Sequence, residues 1–188
     1  MSESLSIQER FKAIEESSDS DLADQVGLFY SSFCVDTADY LEFYMMGLVK
    51  YLYDKRASVP ADSFEYFKKA VEANDAYPMS RLYLAHCYHD LKKYDEALSH
   101  YSLVDSDRLL SEMQPWRYYK MCEQMGHCLA KLGRLEESRQ YFERALEGYN
   151  IYTYDEMVDP LEVYDSLSTD DRLYKKFKLL EEALTSTI

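Results

Sequence analysis

Leu84-Ala85-His86-Cys87-Tyr88, followed by Tyr94-Asp95-Glu96-Ala97 and then by Tyr101 and Val104, is the stretch on which the fold turns. Its apolar and small residues recur every three or four positions in two segments joined by a short polar turn, the period of two amphipathic helices. The arrangement returns at Met125-Gly126-His127-Cys128-Leu129, Leu135-Glu136-Glu137-Ser138, Phe142 and Ala145, with every position shifted by 41 residues. Even the His-Cys dipeptide recurs in place, and Lys92 in the first turn falls where Gly133 stands in the second. Counting back 34 residues from the second helix of the first unit puts Ser63, Phe67 and Ala70 under Ala97, Tyr101 and Val104. The matching first helix is then expected over 41–53, around Met46-Gly47. A two-helix unit of this length cannot bury its apolar face alone, so its recurrence predicts an all-α stack of helix hairpins.

These units resemble the tetratricopeptide repeat family, whose 34-residue helix-turn-helix carries a Leu-Gly pair and a Tyr in its first helix and Ala, an aromatic and Ala in its second. Here the pair reads Leu84-Ala85 and Met125-Gly126, the tyrosine Tyr88 and Leu129, and the trio Ala97/Tyr101/Val104 and Ser138/Phe142/Ala145. The resemblance covers 80–147 and extends back to about residue 40. It departs from the family at the tryptophan, replaced by Arg81 and Cys122, and at the stretched spacing between the last two copies. The insertion, 105–115, is expected to form a longer loop or to lengthen the helices on either side. Ala70, Ala85, Ala97, Gly126 and Ser138 are read as close-approach positions, with Phe67, Tyr88, Tyr101 and Phe142 filling the space between helices.

Outside the repeats, Leu5, Ile7, Phe11 and Ile14 suggest a short amphipathic helix, and Leu22, Val26, Phe29 and Phe33 line one face of a second. Asp36 or Thr37 is a cap for the helix that follows, Asp159-Pro160 is a helix start, and Thr169-Asp170-Asp171 opens a last helix with Leu173, Phe177 and Leu180 in register. The reading is one all-helical domain: N-terminal helices over 1–38, about three hairpins over 39–148, and an acidic-aromatic segment with a capping helix over 149–188. This is an all-α, tetratricopeptide-like helix-hairpin solenoid with capping helices at both ends.

The 188 residues carry 21 basic and 35 acidic side chains, a net charge of -14. Such a surface repels phosphate backbones and anionic lipids, which argues against nucleic-acid and membrane partners and favours a basic protein. The start of the chain is acidic and polar, unlike a secretory signal, so a soluble, cytoplasmic protein is expected. Cys34, Cys87, Cys122 and Cys128 form no CxxC pair and fall in helical patterns, as small packing residues in a reducing compartment do.

The resemblance implies that binding uses the concave wall built from the first helices of the repeats. By its pattern that wall includes Met79, Leu82, His86, His89 and Asp90 from one copy and Lys120, Glu123, His127 and Lys131 from the next. The family's carboxylate clamp for chaperone tails needs Lys, Asn and Arg where this chain has Leu82, His86 and Glu123, so that ligand is unsupported. Trp116, in Trp116-Arg117-Tyr118-Tyr119, is a candidate aromatic anchor, balanced against ordinary packing on the previous hairpin. Over 149–171 the acidic residues, among them Asp155, Glu156 and Asp159, interleave with Tyr152 and Tyr154 and lack any Lys or Arg, as a surface for a cationic patch would.

Catalytic signatures are thin. His86 and His89 with His127 are a conceivable metal set, but no HExxH motif, phosphate loop or nucleophile elbow accompanies them. No cofactor or metal is expected. The leading expectation is a non-catalytic protein-binding module that masks a basic partner, like a bacterial toxin immunity protein or a secretion chaperone of this repeat family. A scaffold or adaptor in a larger assembly and, more remotely, a metal-dependent enzyme on a helical frame are the alternatives. The free chain is expected to be a monomer or homodimer.

Overall fold

Ser6 and Glu9 close a capping box at the first helix: the Glu9 amide donates to Ser6 Oγ at 3.3 Å and the Ser6 amide to Glu9 Oε2 at 2.8 Å. This computed structural model describes residues 5–152 and 160–185. All regular structure among the described residues is helical, with no strand among them. In chain order the helices are α1 (Ile7–Glu15), α2 (Leu22–Ser32), α3 (Tyr40–Leu48), α4 (Ala61–Ala73), α5 (Pro78–Asp90), α6 (Tyr94–Tyr101), α7 (Ser106–Glu112), α8 (Trp116–Lys131), α9 (Leu135–Tyr149), α10 (Leu161–Ser166) and α11 (Arg172–Thr185). The chain falls into two compact units, Met1–Leu91 and Lys92–Ile188, whose boundary lies in the turn after α5.

In the first unit α1 and α2 pair, and α3 and α4 form the earliest repeat-type hairpin, against which α5 packs. The positions predicted by the 34-residue count, Ser63, Phe67 and Ala70, are all fully buried on α4. Gly47 explains the close approach, because a Cβ there would stand 2.6 Å from the Phe67 ring. An aromatic core joins the elements: Phe67 stacks on Tyr83 at 5.3 Å, and Tyr44 meets Phe67, Tyr77 and Tyr83. The cap before α3 is Asp39, not Asp36 or Thr37; Asp39 Oδ1 accepts from the Leu41 and Glu42 amides at 2.8 and 2.9 Å. The helix predicted over 41–53 starts at Tyr40 and passes into a π-helical turn over Val49–Tyr53.

In the second unit α8 and α9 form the last hairpin and α6 packs on α8. Gly126 repeats the device of Gly47, with a Cβ there 2.7 Å from the Phe142 ring. Ser138, Phe142 and Ala145 are fully buried. The insertion 105–115 is neither a bare loop nor an extension of its neighbours. It folds into α7, capped by Asp105, whose side chain accepts from the Arg108 amide, and anchored by fully buried Leu109. Asp171 caps α11 by accepting from the Leu173 amide at 2.8 Å and is gripped by Arg139 of α9. Leu173 and Phe177 then enter a core with Cys122, Phe142, Ala145, Tyr149 and Val163.

Candidate functional site

The first helices of the repeats, α5 in the first unit and α8 in the second, carry the predicted wall. Helix α5 begins at Pro78, whose fixed φ suits the first turn. Met79, Leu82 and His89, predicted as exposed wall residues, are buried, and so is most of this helix. The expectation of an open face fails on α5, where nine of the thirteen residues are buried. His86 is half-buried, edge-on to Tyr83 at 5.2 Å, and Asp90 is exposed. Tyr51 Oη donates to Asp90 Oδ2 at 2.6 Å. Burial and that carboxylate drive the Tyr51 hydroxyl far above its ordinary pKa, so it stays a donor.

Helix α8 places Lys120, Glu123, His127 and Lys131 along one face, at i, i+3, i+7 and i+11. Helix α10 packs on α8 and supplies the partners. Lys120 Nζ lies 2.9 Å from Glu123 Oε2 and 3.3 Å from Glu162 Oε2, and Tyr149 Oη donates to Glu123 Oε2 at 2.7 Å. One turn on, His127 Nε2 and Lys131 Nζ both reach Asp165 Oδ2, at 3.0 and 2.8 Å. Glu123 and His127, predicted as exposed, are buried, because α10 and the Tyr149 ring cover the stripe they occupy.

Burial pushes the Glu123 carboxyl up to about 8, outweighing the attraction of Lys120, and Glu162 beside it pushes the same way. Burial would lower Lys120, but the carboxylates of Glu123 and Glu162 prevail and hold it above its ordinary value. Asp165 is held low by hydrogen bonds from Lys131 and His127. Glu123 Oε1 is buried without a hydrogen-bond partner.

Trp116 is half-buried against the core of the second unit, with the Arg117 guanidinium 4.5 Å from its ring. Tyr152 is half-buried there too, its ring 5.9 Å from Tyr119. Tyr154, Asp155, Glu156 and Asp159 lie outside the described residues. Glu162 and Asp165 fall in the acidic-aromatic segment 149–171 that the sequence offers to a cationic patch on a partner; here they meet Lys120, His127 and Lys131 of the chain itself, and their three-residue spacing is what puts both on one face of α10.

A separate cleft of about 310 Å³ lies between α6, α8 and α9, lined by Leu98, Met125, Leu129 and Tyr141 among others. Among the described residues, no three His, Cys, Asp or Glu side chains gather as metal ligands would. Cys87, Cys122 and Cys128 are buried and their thiols are pushed up to about 12, 11 and 12, so they are packing groups without thiolate character. No helix among the described residues is long and apolar enough to cross a membrane.

The geometry has relatives among known proteins. A tetratricopeptide repeat model matches residues 119–147, which hold most of α8 and α9. Two solved MamA structures share the fold. The one titled MamA MSR-1 C2 is 17% identical, with 94% of each chain covered and a TM-score of 0.63. A MamA mutant is 16% identical over 92% of this chain and 94% of its own, with a TM-score of 0.62. No curated protein matches the chain in sequence. A tetratricopeptide repeat is thus matched at α8–α9, and the helical fold is shared with the two MamA structures over nearly the whole length of the chain.

Proposed function

We propose that this chain is a non-catalytic module that holds and masks a basic protein partner, in the manner of a toxin immunity protein or a secretion chaperone in the cytoplasm. Repeats of this family are protein-interaction modules, and the observation that carries the reading is the charge such a module bears here, -14 over 188 residues. A surface of one sign raises the encounter rate with a partner of the other and discourages nucleic acid. The binding positions are His86 and Asp90 on α5, Trp116, Lys120 and Lys131 on α8, and the acidic-aromatic segment that holds Tyr152, Tyr154, Asp155, Glu156 and Asp159.

A scaffold that joins two partners is the second reading. Its support is the division into two compact units, each with helices of the repeat type. A tagged pull-down from the native cell at low and moderate salt, with partners identified by mass and stoichiometry by light scattering, separates them. One basic, equimolar, retained partner is the masking outcome, several partners of moderate affinity are the scaffold outcome, and capture of none removes both.

A further inference from the structure

We propose that α10 is an internal acidic ligand that closes the inner face of α8, and that this face takes an acidic helical segment of a partner when α10 lifts away. The inference rests on the reading of the chain as a binding module and names what one of its faces selects. In a chain of net charge -14, Lys120, His127 and Lys131 gather three cationic or protonatable side chains, with the buried Glu123 among them, on one face of one helix. What meets them is a segment with the matching pattern: Glu162 on Lys120, Asp165 on His127 and Lys131, and Val163 between them seated fully buried in the core. Carboxylates three residues apart share one face of a helix, and Val163 beside them supplies the apolar anchor that a groove takes up.

Three observations mark this occupant as one that can be exchanged. Helix α10 has six residues, far below the length at which a helix holds itself together, and Pro160 before it offers no side-chain cap. Its outer anchor is an ion pair whose Asp165 side chain is 64% exposed, so water and salt compete for it. Its inner anchor crowds the side chains of both Glu123 and Glu162 onto the one ammonium of Lys120 and leaves Glu123 Oε1 unpaired. Gly126 against Phe142 holds α8 and α9 on each other, so opening of α10 has to withdraw only Val163 from the shared core while the hairpin stays folded.

Hydrogen exchange on the full chain tests the closure. The hydrogen-bonded amides of Tyr164 and Leu167 should exchange at least ten-fold faster than those of α8 and α9, and faster still as salt rises. Exchange at the common rate of the hairpin, unmoved by salt, would make α10 a fixed part of the core and overturn the proposal. For the selectivity, the double variant Glu162→Lys with Asp165→Lys is titrated with a synthetic peptide of residues 160–171 and followed by amide chemical shifts. Binding that shifts Lys120, His127 and Lys131, at least ten-fold tighter than to the unaltered chain and lost when Lys131→Glu is added, is the expected result. Equal binding to both chains, or none to a variant whose α8–α9 amides remain protected, refutes it. If the variant fails to fold, the exchange of the unaltered chain decides. A chain that captures its partner yet opens α10 only with the whole unit keeps the binding role and loses the internal ligand.

Discussion

Glu123 has no solvent exposure, takes hydrogen bonds from Tyr149 and Lys120 on Oε2, and has no hydrogen-bond partner on Oε1. Its carboxyl titrates near 8 in the folded chain against 4.5 when unperturbed, so the folded state binds the proton more tightly. The proton's contribution to stability is complete below about pH 4.5, drains away as the pH rises through 8, and is level above that. Glu123→Gln keeps the shape and removes the titration. Melting followed from pH 5 to 9 should show the variant gaining on the parent as pH rises, by an amount on the order of a few kcal/mol, with the difference vanishing near pH 5. Parallel curves at every pH would mean that Glu123 stays ionised in the folded chain. Gly126 is a residue of the opposite kind, fully legible: the family pattern marks it as a close-approach position, and the Phe142 ring lies 2.7 Å from where a Cβ would be. Gly126→Val therefore forces the ring out of a filled core and should destabilise the second unit by roughly 1–3 kcal/mol in denaturant unfolding. The sequence marks where a side chain has no room. It does not mark that a charged one is covered, because the cover on Glu123 comes from α10, some forty positions away.

Helix ends obey rules that sequence states unevenly. The turn equivalence of Lys92 and Gly133 was readable from the shifted repeat, and both residues adopt left-handed backbone, with φ of 59° and 78°. Glycine reaches that region freely, whereas a side chain there costs about 1–2 kcal/mol. Space around Gly133 is open, so Gly133→Ala changes conformational cost alone and should lower stability by about 1 kcal/mol, while Lys92→Gly should raise it by roughly 0.5–1 kcal/mol. Thermal unfolding of the two single variants, with opposite signs, checks the pair; two losses would show that the Lys92 side chain makes a contact worth more than its strain. The insertion was legible only as an interruption. Its period, about two turns around Leu109, is too short to announce a helix against a loop, and the decision rests on Asp105 finding the Arg108 amide. Asp39 shows the same limit in reverse. Several carboxylates and hydroxyls precede α3, and the one that caps is chosen by Glu42 completing a capping box with the Asp39 amide at 3.0 Å.

Across the whole chain, aromatic content goes first into packing: of the nineteen tyrosines, Tyr44, Tyr83, Tyr101 and Tyr149 are buried, and rings of Tyr40, Tyr51 and Tyr77 pack among them or beside them. Aromatic content alone does not separate a core from a binding face, since both reward large, rigid area with a polar tip. Charge is different, because it cannot be buried in quantity and must stand on the surface. With 35 acidic against 21 basic residues, the field of the molecule is one of its few properties that composition fixes without a fold. It acts at long range, so it should govern how fast a basic partner arrives more than how long it stays. At 0.1 M salt the screening length is about 10 Å and at 1 M about 3 Å, and steering of this kind raises association by roughly 10–1,000-fold. Association of a purified basic partner, measured by stopped-flow, should therefore slow at least ten-fold between low and high salt while the dissociation rate changes little. A flat association rate would take the acidic surface out of recognition and leave the selection to the α8 face. A dissociation rate that rises with salt instead would place the charged contacts inside the bound interface.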